Sequence, residues 1–349
     1  MSSTVRMAIV GCGAAARGCH LPAFGRAPEI RLTALIDPVI EHAAAAAAWL
    51  KGQGYPGRPV IATSVSEVVD QFDAAIVCAP HTAHAAVAGD LLAQGKHVLC
   101  EKPMTTSGAD ADRLAAATGP GTLLAMAHPR RLFPAYSWVR DLLADGALGS
   151  GLRVRWREGH PYAWEPLTSS MFAVDLAGGG VLTDTGSHVL DTLLWWFGPD
   201  AEITRYQDNY AGGVETDCEL WLRWPGVGVT ADVAFSRLRP LGLECEVRGD
   251  AATVTIGTDF PAGRCTLVSS AGEIRHDGDV HGTKPELDEW EGLFVEQLRN
   301  FIAAIEGTEP VFSSAADGRR VVSLIERCYG SEGRGAMPQP WLAGEPVSR

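Results

Sequence analysis

Three side chains in two short stretches have the types that move a proton alongside a redox cofactor. Lys102 stands in Glu101-Lys102-Pro103, which closes the apolar run His97-Val98-Leu99-Cys100. Asp184 and His188 stand farther along, in Asp184-Thr185-Gly186-Ser187-His188. A lysine places a positive charge where an alkoxide develops. An imidazole takes or gives a proton near neutral pH, and a carboxylate orients it. The chemistry these types allow is proton transfer at a hydroxyl, with the charge that develops on oxygen stabilised.

A third motif fits a dinucleotide, whose nicotinamide would carry a hydride alongside that proton. Gly11-Cys12-Gly13-Ala14-Ala15-Ala16 directly follows the apolar run Val5–Val10. Gly11 permits a tight turn, Gly13 lets the backbone approach a pyrophosphate, and a small residue at Ala16 allows close helix–strand packing. The N–H groups of Gly13, Ala14 and Ala15 at the helix start would hold the phosphates. The next strand-like run ends at Asp37, near the spacing of a carboxylate that accepts from the adenosine ribose. Asp37 would repel a 2′-phosphate, and Pro38-Val39-Ile40 brings no cation, so NAD is favoured. NADP stays open because Arg17 is within sequence reach of such a phosphate.

The elements needed to position these groups follow from periodicity. Over roughly the first 125 residues, strand-like runs (5–10, 31–36, 60–62, 74–79, 97–100, 123–127) alternate with helix-like stretches (40–51, 65–70, 83–94, 110–118). That alternation predicts right-handed parallel crossovers and an α/β doubly wound sheet, with a Rossmann domain over 1–127. The rest, 128–349, reads as an α+β domain with a large open, mainly antiparallel sheet. In it, 218–224 and 229–235 form a hairpin, 244–248 pairs with 252–256, and helices cover 136–143, 184–197, 286–305 and 315–328. On the 184–197 helix, Asp184, His188 and Asp191 fall on one stripe of an otherwise apolar surface, so they face a cleft. For Asp191, a packing role is as good a reading as substrate contact.

Bulk properties limit the alternatives. A chain of 349 residues is long enough for two cores, and 46% hydrophobic with 20% charged residues is globular composition. The formal charge of −13 disfavours a nucleic-acid partner, and no basic run suggests a membrane surface. The eight cysteines lack any Cys-x-x-Cys spacing, which suits reduced thiols in a cytoplasmic protein and gives no metal site. The first residues leave no room for a signal peptide, and no apolar stretch is long enough to span a bilayer.

The ordered motifs carry a resemblance. Residues 73–84 (Asp73 to Pro80-His81-Thr82-Ala83-His84), 95–103 (Gly95-Lys96-His97 to Glu101-Lys102-Pro103), Arg130-Arg131, Pro134, Gly149 and Gly178-Gly179-Gly180 through His188 and Asp191 resemble the Gfo/Idh/MocA oxidoreductases. The resemblance covers most of residues 5–200. It implies that Lys102 sits beside the nicotinamide and the substrate hydroxyl. Asp184 and His188 would face it from the second domain, with His188 as acid/base. It also places Ala79, Pro80, His84 and Glu101 at the cofactor, although His84 also reads as an exposed residue at a helix start. The activity implied is an NAD(P)-dependent dehydrogenase or reductase acting on a secondary alcohol or ketone of a sugar, inositol or related polyol. Some relatives instead carry out a redox-elimination glycosidase reaction or sense a dinucleotide without turnover. Arg131, Tyr162 and Trp164 are candidates to line the substrate cleft, with plain packing open for each. A homodimer or homotetramer is the assembly that the family's exposed sheets imply.

Overall fold

Six short strands form the first sheet: β1 (Arg6–Val10), β2 (Arg31–Ile36), β3 (Val60–Ala62), β4 (Ala74–Val77), β5 (His97–Glu101) and β6 (Leu124–Ala127). Their order is β3-β2-β1-β4-β5-β6, and every pairing is parallel. This is the doubly wound arrangement expected from the alternation of strands and helices. Parallel strands covered on both faces must be apolar throughout, and β4 and β6 are buried along their whole length. Ala8, Val10, Ala75, Val77, Val98 and Cys100 from the sheet share one core with Ala88, Leu91 and Leu114 from the crossover helices. The sheet order reverses between β1 and β4, so a crevice opens at the carboxyl ends of those strands, the usual ligand position in such a sheet.

The computed structural model describes residues 5–119, 121–161, 172–261 and 264–338. In the remaining strands, alternation replaces continuous apolarity. They are β7 (Arg153–Gly159), β8 (Glu202–Asp208), β9 (Asp217–Trp224), β10 (Val229–Ser236), β11 (Gly242–Arg248), β12 (Ala252–Gly257), β13 (Cys265–Ser269) and β14 (Ile274–Gly278). They form one sheet in the order β14-β13-β12-β11-β7-β10-β9-β8. Only β7–β10 is parallel; the other pairings are antiparallel. The expected hairpin is present, with Val229 opposite Trp224 and Phe235 opposite Cys218. Beside it, Trp156 of β7 meets Tyr136 and Trp196, from the helices Pro134–Ala144 and Ser187–Phe197, and the three rings lie at centroid separations of 5.6 to 5.8 Å.

By contacts the chain divides into two compact units, and the division differs from a cut at 127/128. Residues up to Leu132 are joined by Gly282–Val322, while Phe133–His281 and the residues from Ser323 onward form the second unit. The return has a physical cause. The helix Trp290–Ile305 buries Leu293, Phe294, Leu298 and Phe301, which need an apolar partner. It finds one on the helix Leu21–Arg26, with Arg299 bonded to Glu29 at 2.9 Å along the rim. Ser314 also bridges to Ala125 of β6.

Two local expectations shift. Residues 65–71 form two 3₁₀ turns rather than one helix. Residues 184–197 are not one regular helix. A π-helical turn, Leu182–Gly186, precedes the helix Ser187–Phe197.

Candidate active site

In the first unit, three carboxyl ends of adjacent strands converge. Gly11, just after β1, has φ +93°, and a Cβ there would lie 2.6 Å from the Cys78 carbonyl carbon. Only glycine fits. A Cβ on Gly13 would meet nothing within 4 Å, so this part of the loop borders open space. Ala14 and Ala15 begin the helix and are half-buried; Ala16 is fully buried, which leaves no volume for a larger side chain. A first helical turn carries N–H groups with no intrahelical acceptor, which together with the space over Gly13 fits a pyrophosphate. The helix continues as a second π-helical turn, Ala16–His20.

Asp37 closes one side of this loop. Its Oδ2 accepts the Cys12 N–H at 2.8 Å, its Oδ1 accepts the Val39 N–H at 2.9 Å, and His42 Nδ1 lies 3.3 Å from Oδ1. The carboxylate is therefore fixed by backbone rather than mobile. Arg17 donates from Nε to the Cys12 carbonyl at 3.0 Å and reaches the His42 carbonyl at 3.5 Å. Its guanidinium thus touches the same two segments as Asp37, which keeps both cofactor readings physically accessible.

Ala79 is half-buried and Pro80 exposed at the end of β4, where a ligand would pass. His84 differs from its sequence reading. It is not exposed at a helix start but fully buried, with Nδ1 2.8 Å from the Pro103 carbonyl and Nε2 2.8 Å from the Ala79 carbonyl. Burial pulls its pKa below the ordinary imidazole value, against the opposing pull of these two carbonyls. His84 is a tie between the two loops.

Glu101 is buried and does not stand as a surface partner of Lys102. Its Oε1 lies 2.7 Å from His20 Nε2, and its Oε2 accepts the Lys102 backbone N–H at 3.1 Å. Burial pushes its carboxyl up, but His20 and Lys102 outweigh that and hold it below the usual carboxylate range. The Lys102 side chain is half-buried. Arg131 shows the packing contacts that its sequence reading leaves open. It is buried, donates to the Phe312 carbonyl at 2.8 Å and lies 3.5 Å from Asp317, tying the returning segment to β6. Tyr162 and Trp164 lie outside the described residues.

In the second unit, Gly178-Gly179-Gly180 leads into the π-helical turn that carries Asp184. Gly178 has φ +69°, and a Cβ on Gly180 would sit 1.9 Å from the Glu215 carbonyl oxygen. The close approach lets one residue cap the whole turn. Glu215 Oε2 accepts from Gly180 N–H at 2.9 Å, its backbone carbonyl from Val181 at 2.9 Å, and its Oε1 from Leu182 at 3.1 Å. Tyr329 donates to Oε1 at 2.6 Å. Burial raises the Glu215 carboxyl above its ordinary range despite these donors. Arg334, stacked on Tyr329 and Tyr210 and bonded to Asp208 at 3.1 Å, closes the cluster.

Asp184 Oδ2 accepts from Arg237 Nη2 at 2.6 Å. The arginine is 7% and the aspartate 21% exposed, so the pair is well shielded. His188 is half-buried on the helix, and its neighbour Asp191 is 1% exposed. Of the expected polar stripe, Asp191 therefore packs inward. The wider π turn breaks the regular spacing between Asp184 and the residues that follow it.

Among the described residues, no three His, Cys, Asp or Glu side chains gather as a metal site would require, and no helix is long and apolar enough to cross a membrane. Against known proteins, a family model described as "Oxidoreductase family, NAD-binding Rossmann fold" matches residues 5–123. The "GFO/IDH/MocA C-terminal domain" matches 136–255. An inositol 2-dehydrogenase of Ralstonia nicotianae is 25% identical over 99% of this chain and 98% of its own. In fold, an aldose–aldose oxidoreductase of Caulobacter crescentus aligns with TM-score 0.79 at 23% identity, covering 93% of this chain and 96% of its own. A 3-ketoreductase from Actinomadura kijaniata, solved with NADP and TDP-benzene, aligns with TM-score 0.76 at 23% identity over 95% and 98%.

Proposed function

Since the chain belongs to the Gfo/Idh/MocA oxidoreductases and is an NAD(P)-dependent oxidoreductase of the sugar and polyol class, we propose that it oxidises a secondary alcohol, or reduces the corresponding ketone, with Lys102, Asp184 and His188 as catalytic residues. The observation that carries this reading is the convergence of the glycine loop, Ala79-Pro80 and Glu101-Lys102 at the carboxyl ends of β1, β4 and β5, the switch point of the sheet. The nicotinamide, when bound, supplies the hydride acceptor or donor. The residues from Gly11 to Ala16 hold the pyrophosphate, and Asp37 accepts from the adenosine ribose, which favours NAD. Lys102 stabilises alkoxide character on the substrate oxygen. His188 takes the hydroxyl proton in oxidation and returns it in reduction. Asp184, its charge held by Arg237, sets the electrostatics of that step. The substrate class is a sugar, inositol or nucleotide-linked sugar, and the working compartment is the cytoplasm, with two or four subunits assembled.

The test is a panel of sugars, inositols and nucleotide-sugars followed by the absorbance of reduced nicotinamide, with NAD and NADP side by side. Turnover on at least one member is expected, with His188→Ala and Lys102→Ala each lowering kcat by about 10²–10⁴-fold. Near-normal turnover of either variant at saturating cofactor overturns the assignment. Release of a leaving group without net nicotinamide reduction would instead mark transient oxidation followed by elimination. Tight NAD binding with no turnover on any member would mark a sensor.

A further inference from the structure

We propose that His20 is a positioning residue for Lys102, acting through Glu101 to couple the dinucleotide loop to the Glu-Lys-Pro turn. The two motifs are separated by 81 residues, yet a buried hydrogen bond of 2.7 Å joins the last residue of the π-helical turn to the last residue of β5. Glu101 divides its oxygens. One takes the His20 Nε2, and the other takes the N–H of Lys102 itself, so the carboxylate fixes the backbone from which the lysine projects.

The placement of His20 would be wasteful if it served packing alone. The ring is 0% exposed and meets Phe294 edge-on at 5.5 Å, an environment in which leucine packs equally well. Its Nδ1 is buried with no hydrogen-bond partner among the described residues. A buried polar atom left unsatisfied costs about 1–3 kcal/mol. The fold therefore tolerates an orphan nitrogen to present Nε2 to Glu101. With His20 Nε2 on Oε1 and the Lys102 N–H on Oε2, the Glu101 carboxylate is held between the two residues, and Lys102 bears on its charge.

The other groups whose charges bear on Glu101 are Lys102, His84, Cys19, Cys78 and Cys100. Burial pushes the three thiols up, Cys19 to about 12 and Cys78 and Cys100 beyond the range in which they ionise, and pulls His84 down. None of the four adds a competing charge at neutral pH. Replacing His20 thus removes a hydrogen-bond partner of Glu101 and leaves burial opposed by Lys102.

This inference rests on the reading of Lys102 as catalytic, and its test separates the two. Full-length protein labelled with δ-¹³C glutamate is titrated by NMR, with the Glu101 signal assigned by its absence in Glu101→Gln. In the wild type, Glu101 stays ionised below its ordinary value of 4.5. In His20→Leu its midpoint should rise by about two pH units or more as burial takes over. His20→Gln, whose Nε2 reproduces the imidazole Nε2, should restore the wild-type titration. His20→Asn, which reproduces only the orphan Nδ1, should not. The acid limb of kcat/KM should move in step with the NMR midpoint, with a loss of roughly 10- to 100-fold for one charge-assisted hydrogen bond. An unmoved Glu101 titration in His20→Leu, or equal behaviour of the Gln and Asn variants, overturns the proposal; the latter pair decides the matter if the leucine variant does not fold. A shifted titration in a protein that turns over no panel substrate would uphold the coupling and reject the catalytic reading.

Discussion

Replacing Glu215 by alanine removes the acceptor of three hydrogen bonds at once: Gly180 N–H at 2.9 Å, Leu182 N–H at 3.1 Å and the Tyr329 hydroxyl at 2.6 Å. Val181 keeps its partner, because that bond goes to the backbone of residue 215. The Tyr329 hydroxyl still has Thr183 Oγ1 at 2.7 Å; each of the two N–H donors left alone costs about 1–3 kcal/mol, so the gross penalty is roughly 2–6 kcal/mol. Two effects reduce it. Water entering the vacated volume satisfies part of the set, and the burial that raises the Glu215 carboxyl is relieved when the carboxyl is gone. The net expectation is a loss of about 3 kcal/mol, a large fraction of a typical 5–15 kcal/mol. Glu215→Gln keeps one carbonyl oxygen but turns an NH₂ toward a donor, so about 1–2 kcal/mol is expected. Urea unfolding at neutral pH measures both. Amide hydrogen exchange should show the loss at Gly180 and Leu182 first, since the free end of the Asp184 turn frays before the unit unfolds. A loss under about 1 kcal/mol for the alanine variant, with unchanged exchange at those amides, would refute the claim that this one side chain caps the turn.

Arg237→Met leaves the shielded Asp184 carboxylate without its 2.6 Å partner and should lower kcat/KM by roughly 10- to 100-fold, while cofactor affinity, measured by fluorescence titration, stays within about threefold. Asp37→Ser removes the charge that opposes a 2′-phosphate and should move the NADP to NAD preference by about tenfold or more, read as the ratio of dissociation constants. Glu101 gives a pH dependence of defined sign. Its folded pKa is depressed, so its contribution to stability is present above the ordinary 4.5 and is lost as pH falls through the folded value. The stability gap between wild type and Glu101→Gln, from urea unfolding, should therefore narrow as pH falls below about 4.5; a constant gap contradicts the ion-paired reading.

The parts of this molecule that are local in sequence were legible in it. Gly11 announces its turn because its left-handed φ and its contact with Cys78 admit no side chain. The Rossmann alternation announces the sheet because buried parallel strands must be continuous apolar runs. What failed to show has a common cause: it depends on residues distant along the chain. Glu215 caps a turn 35 residues away, Arg237 pairs over 53 residues, and His20 over 81. None sits in a periodic pattern or a motif that would mark it. The contacts of His84 and Arg131 stay hidden for the same reason, because the carbonyls that bind them come from other loops. The π-helical turn at Leu182–Gly186 escaped because a helical repeat was read straight through it, and the capping that shapes it comes from Glu215. The return of Gly282–Val322 to the first unit follows an apolar helix face whose partner no sequence pattern identifies.

The central claim is that Lys102 acts on the reacting substrate rather than merely holding cofactor. The most direct measurement compares Lys102→Ala with wild type in two readouts on the same preparation: the dissociation constant of NADH by fluorescence, and kcat on the substrate found in the panel. The account predicts a kcat loss of about 10²-fold or more with the dissociation constant changed less than about threefold. A variant that loses NADH affinity in proportion to its activity, or keeps its turnover, would contradict it.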